Sequence, residues 1–153
     1  MEITKRDLME ITKKDLLNGL SPKSNTVTET SDLVDMIATL LHSQSQVHIF
    51  HWQTKSQSSF SEHKALQEYY DGIDGLVDNI VESYQGKYEI ITGYKTIKTV
   101  DYKSTEQVIA YFKELDENIE KNRTSVKESY IQNQIDGVQE LIYSTLYKLR
   151  FLK

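Results

Sequence analysis

Apolar side chains recur at three- and four-residue steps through four long stretches of the chain. In the first, Leu33, Ile37, Leu40 and Val47 share one face of a helix that opens near Ser31, a good N-cap. At about 100° per residue His51 returns to the angle of Leu33, so it falls on the face turned toward the core. A second helix is predicted from Phe60 to Tyr84, with Leu66, Tyr69, Ile73, Leu76, Val77, Ile80 and Tyr84 on its apolar side and Gly86 beyond its end. Ser104 to Gln107 reads as a capping box opening a third helix, with Val108, Phe112, Leu115, Ile119 and Val126 at helical steps. The fourth runs from Ile131 to Phe151 on Ile135, Val138, Ile142, Leu146 and Leu149.

Between the second and third helices, KYEIITGYKTIKTVDYK is β-branched and has no helical period. It reads as an irregular connection with a small hairpin turning at Gly93. Four helices of about 20 residues with one long crossover describe an all-α fold, a four-helix bundle with ferritin-like connectivity. That domain takes residues 30–153. Ahead of it, residues 1–29 read as a flexible arm that carries a tandem octapeptide, EITKRDLM then EITKKDLL. Each copy sets Thr three residues before Asp, a helix-start pattern; the arm reads either as a plain disordered tail or as a docking segment for a neighbouring subunit or another protein.

A chain of 153 residues builds one core and not two. Its 38% hydrophobic and 27% charged residues are those of a globular protein, and nothing at the start resembles a signal peptide. There is no cysteine, hence no disulfide, thiolate zinc site or cysteine nucleophile. A cytoplasmic protein without membrane attachment fits best. The net charge of -5, and the near balance of acids and bases in the arm, argue against DNA binding.

The second helix carries a polar stripe of His63, Gln67, Asp71, Asp74, Asp78 and Glu82, which falls within roughly a 100° arc. An amphipathic helix always has a polar side, so a plain solvated face is the competing reading. Such a face would mix its charges, whereas residues 62–82 hold six acids against the single base Lys64. The imbalance favours a surface that gathers cations. Asp78 and Glu82, one turn apart, can aim two carboxylates at one ion, and with imidazole nitrogen they suit iron, zinc or manganese. No Glu-x-x-His occurs, which argues against a di-iron centre inside one bundle. His63 and Asp78 are separated by roughly 22 Å along their helix, so one chain cannot bring both to one metal. His51 and His63 flank a single connection and can meet. If all four are ligands, the histidines come from one subunit and the carboxylates from another.

In these residues the chain resembles the Dps family of miniferritins, the DNA-binding proteins from starved cells. The likeness rests on His51 with Trp52 at the end of the first helix, His63 twelve residues on, and Asp78-x-x-x-Glu82; Tyr147, Leu149 and Arg150 near the end add to it. It implies a homo-oligomeric shell, a dodecamer, whose two-fold interfaces bind Fe(II). There iron would be oxidised with hydrogen peroxide and the ferric product stored inside. By the same resemblance His51 and His63 bind iron from one chain and Asp78 and Glu82 from its partner, while Trp52 is an electron donor beside the site. The other reading of Trp52 is a packing anchor. His42 and His48 match no ligand of the family and read as ordinary helix-surface residues. Many members carry Asp where this chain has Gln67, a neutral amide that binds cations more weakly. The alternative function is a non-catalytic ferritin-like assembly protein that docks through its arm.

Overall fold

The computed structural model describes residues 24–55 and 58–152, with side chains from residue 30 onward. The arm's tandem repeat lies outside the described residues. Among the described residues four helices follow one another: α1 (Ser24–Gln53), α2 (Ser59–Lys87), α3 (Thr105–Asn122) and α4 (Ser129–Phe151). A single 3-10 turn, Arg123–Ser125, joins α3 to α4. Around the bundle α1 packs on α2 and α3, and α4 packs on α2 and α3. The long segment after α2 returns along α1, so that the end of α1 meets the start of α3. This is the four-helix bundle with a long second crossover that the apolar spacing predicts. Among the described residues no helix is long and apolar enough to cross a membrane.

The core contains most of the residues picked by periodicity, including Leu33, Ile37, Leu66, Ile73, Phe112, Ile119, Ile135 and Ile142, while Leu76 and Tyr84 are only partly buried against it. Helix α1 is buried on more than one face, with Met36, Ser43, Gln46 and Phe50 also enclosed. It is covered by two neighbouring helices and the crossover. Two buried hydroxyls pair across the bundle: Ser43 Oγ and Tyr69 Oη lie 2.8 Å apart, and Ser43 also donates to the Leu40 carbonyl at 2.6 Å.

Several boundaries differ from the sequence expectation. α1 starts at Ser24 rather than near Ser31. Gly86 lies within α2, which ends at Lys87, so glycine does not stop that helix. Instead Tyr88 turns extended, its N–H bonds the Tyr84 carbonyl, and both Lys87 Nζ and the Tyr88 hydroxyl donate to Glu128 at the start of α4. Val126 is buried but lies after the 3-10 turn in extended backbone, outside α3. The capping box is present in altered form: Ser104 Oγ accepts from Gln107 N–H at 3.3 Å, while the Gln107 side chain reaches back to Lys103 N–H at 2.6 Å.

No hairpin forms at Gly93 among the described residues, although this glycine does take a positive φ of 87°. With no second strand, the crossover fastens its backbone to glutamine side chains. Gln46 of α1 bonds both the N–H and the C=O of Val100 at 2.8 Å, and Gln53 accepts from Tyr102 N–H at 2.8 Å. The Gln46 amide thus acts as a one-residue strand partner, while Gln53 donates its amide N–H to the Asp101 carboxylate at 3.0 Å.

Two predictions follow from these fasteners. Gln46→Ala is expected to lower unfolding free energy by roughly 1–3 kcal/mol and to speed amide exchange at Val100, measured by denaturation and hydrogen exchange. The bonds from Lys87 and then Tyr88 hold Glu128 at a pKa of about 2, below its ordinary 4.5. A depressed carboxylate stabilises the fold above its unfolded pKa, and the contribution is lost as pH falls from about 4.5 to about 2. Melting curves across that window should therefore fall more gently for Glu128→Gln than for the unaltered chain.

Candidate metal centre

His51 lies in the last turn of α1 and His63 in the second turn of α2, so a short connection brings the two rings face to face. Their centroids are 3.5 Å apart with planes inclined by 24°. His51 Nδ1 lies 2.9 Å from the His63 carbonyl, and His63 Nδ1 lies 3.0 Å from the His51 carbonyl. A carbonyl only accepts, so both Nδ1 atoms carry hydrogen and donate. In the neutral rings the lone pair is then on Nε2, the nitrogen left for a metal.

Protonation of His51 is disfavoured. Burial lowers its pKa below the usual imidazole value; the bond to the His63 carbonyl opposes this, while the neighbouring His63 and His48 push in the same direction as burial. Asp71 acts on His51 in the opposite sense, which places this carboxylate within electrostatic reach of the pair. Neutral imidazole is the form that ligates.

Around the pair stand aromatic rings. His48 stacks on Tyr70 at 4.0 Å and 19°, and its other close neighbour is Trp52 at 4.2 Å. Tyr70 also meets His51 edge-on at 5.1 Å. His48 is therefore part of the site's wall rather than an ordinary surface residue, and His42, half-buried, lines a different cavity. Trp52 is 69% exposed, so it anchors no packing within this chain's core. Sequence reasoning missed Tyr70. The signal was available: seven residues after His63, two helical turns, it returns to nearly the same angle.

Glu62 corrects the reading of the acidic run. It is only 2% exposed and accepts from Thr105 Oγ1 at 2.9 Å and Tyr102 Oη at 3.3 Å, tying the start of α2 to the start of α3. Glu68 pairs with Lys148. What remains on the surface of α2 is Asp71, Asp74, Asp78 and Glu82, all exposed and without an ion pair among the described residues. Gln67 sits half-buried between His63 and Asp71. Thus the structure joins His51 to His63 and leaves Asp78 and Glu82 further along α2. Among the described residues no group of three or more His, Cys, Asp or Glu is placed to hold a metal ion within one chain.

A model of a protein family matches residues 51–149, from the first of these histidines to the end of the core of α4. The chain belongs to DUF5856, a family of unknown function. It is also similar to the DNA protection during starvation protein of Helicobacter pylori strain J99, at 28% identity over 121 residues that cover 64% of this chain and 82% of that protein. No solved structure matches the chain.

The tautomer can be checked directly. Long-range proton–nitrogen correlation spectra are expected to show a protonated Nδ1 on both His51 and His63. A bare Nδ1 on either ring would contradict the arrangement.

Proposed function

We propose that this protein is a Dps-like iron-binding ferroxidase. It binds Fe(II) at sites between two-fold related subunits, oxidises it with hydrogen peroxide and sequesters the ferric product in an oligomeric shell, a dodecamer in the family it resembles. The observation that carries the reading is the His51–His63 pair, whose mutual bonds occupy both Nδ1 atoms and leave the Nε2 atom of each pre-oriented ring for a metal. Similarity to a protein named for DNA protection during starvation supports it.

In this reading His51 and His63 hold the iron from one subunit, and Asp78 of the partner subunit and Glu82 of the partner subunit supply oxygen donors. Nitrogen and carboxylate together suit Fe(II), and also zinc or manganese as competitors. Two Fe(II) each lose one electron to one peroxide, which takes up two protons and leaves as water. Consuming both reagents limits oxidative damage. Asp71 and Asp74 raise the local concentration of cations, and Trp52 donates electrons that quench escaping radicals. Gln67 supplies no charge at the second iron position and weakens it.

The test is complementation. Metal-free protein is expected to accelerate Fe(II) oxidation by peroxide, and His51→Ala/His63→Ala or Asp78→Ala/Glu82→Ala should each abolish the acceleration. Dissociating and reassembling the two variants together at equal amounts restores about a quarter of the sites, because half the two-fold pairs are mixed and each has one complete site. Recovery of none of the rate would sink the intersubunit site. An oligomer in native mass measurements that takes up no iron would point instead to a non-catalytic assembly protein, the reading that Gln67 favours.

A further inference from the structure

The end of the crossover is an extended chain with only one of its two edges filled. The Lys98 backbone bonds the His42 ring, Val100 gives both its N–H and its C=O to Gln46, and Tyr102 N–H goes to Gln53. Bonds to α1 at every second residue are the mark of a strand, in which successive residues turn their N–H and C=O to opposite sides. Ile97 and Thr99 therefore present theirs away from α1, and Lys95 is next in the same alternation. The backbone groups of these three residues have no partner among the described residues, and every residue from 92 to 100 is exposed.

Two features set the length of this open edge. Gly93 takes a φ of 87°, which interrupts the extended run on one side. On the other, the Asp101 carbonyl accepts from Gln107 at 3.0 Å. Between them lies YKTIKTV, residues 94–100, rich in the β-branched residues that favour a paired strand. An open edge of this composition is ordinarily guarded by proline or by lysine. Here there is no proline, and Lys95 is drawn into an ion pair with Asp35 at 2.9 Å.

The order of residues along the edge selects a copy of itself. Laid antiparallel about a two-fold axis at its midpoint, the segment sets Ile97 against Ile97, Tyr94 against Val100, Thr96 against Lys98 and Lys95 against Thr99. No like charges face each other, and the exposed Tyr94, Ile97 and Val100 each meet an apolar side chain. The residues with open backbone groups, 95, 97 and 99, also face one another, as ladder bonds require. An axis at Lys95 or at Lys98 would instead set lysine against lysine. We propose that residues 94–100 pair with the same segment of a second copy as an antiparallel two-stranded ribbon centred on Ile97. The contact is isologous, so it closes at two copies and covers the edge in both. It needs no metal and stands whether or not the ferroxidase reading does.

The chain has no cysteine, so single introduced cysteines report the pairing in the full metal-free protein. Under mild oxidation Ile97→Cys is expected to form a disulfide-linked dimer at least tenfold faster than Ile90→Cys, although residue 90 is the more exposed. At the axis the two Cα atoms lie about 5.5 Å apart, within disulfide range. Thr99→Pro removes an outward N–H and leaves the Gln46 bonds in place, so adding it to Ile97→Cys should slow the crosslinking at least fivefold. In the unaltered chain the Ile97 amide should exchange at least tenfold more slowly than in Thr99→Pro. The ratio of rates at 97 and 90 keeps the test decisive should Thr99→Pro fold poorly. Equal crosslinking at the two positions, or a rate at 97 that a folded Thr99→Pro leaves unchanged, would overturn the proposal. Slow exchange at Ile97 without crosslinking there would assign the edge to another part of the same chain and overturn it as well.

Discussion

Two imidazole-to-carbonyl hydrogen bonds join the last turn of α1 to the second turn of α2, and the geometry of the candidate centre depends on them. The His51 carbonyl is among the final carbonyls of α1, which have no partner inside the helix. The His63 side chain supplies one. In return the His63 carbonyl fixes the His51 ring, so the same pair of bonds closes the helix end, sets both tautomers and fixes both ring planes. Removing either histidine therefore takes away a potential ligand and also the group that orients the other one.

That corner is further held by polar side chains where a β-protein would use strands. Gln46 and Gln53 project from α1 to bind the backbone of residues 100–102, and Glu62, next to His63, binds Tyr102 and Thr105 at the entrance to α3. The crossover thus carries the start of α3 to the end of α1, close to the histidines. Without these bonds, residues 89–101, nearly all exposed, would have little to retain them.

The four helices were legible because each buries a stripe with a 3.6-residue period, and the stripe survives whatever the ends do. Ends were less legible. Gly86 looked like a stop because glycine favours left-handed backbone, yet the stop is Glu128, forty-two residues later, which only the fold brings to Lys87 and Tyr88. The hairpin at Gly93 failed for a related reason: β-branched residues need a partner strand, and Gln46 satisfied Val100 instead. In the site, His51 and His63 could be paired from spacing alone. Their bonding could not, because it runs from side chain to backbone, and backbone atoms leave no trace in residue identity. Glu62 looked like one more surface acid, since its burial comes from Tyr102 and Thr105 on another segment.

The exposed side chains at this corner bear on assembly. Trp52 is 69% exposed and Phe60 is 78% exposed, one at each end of the connection that brings the histidines together. Aromatic rings of this kind bury on the order of 150–250 Å² each when covered, so they supply an apolar drive to association beside the candidate ligands. Asp71, Asp74, Asp78 and Glu82 do the opposite, since two copies of such a run brought together repel. In the intersubunit reading a cation between the histidines of one copy and the carboxylates of the other offsets that repulsion where the rings favour contact. Metal occupancy and subunit association are then linked by thermodynamic necessity, because whatever binds the assembled form more tightly also drives assembly.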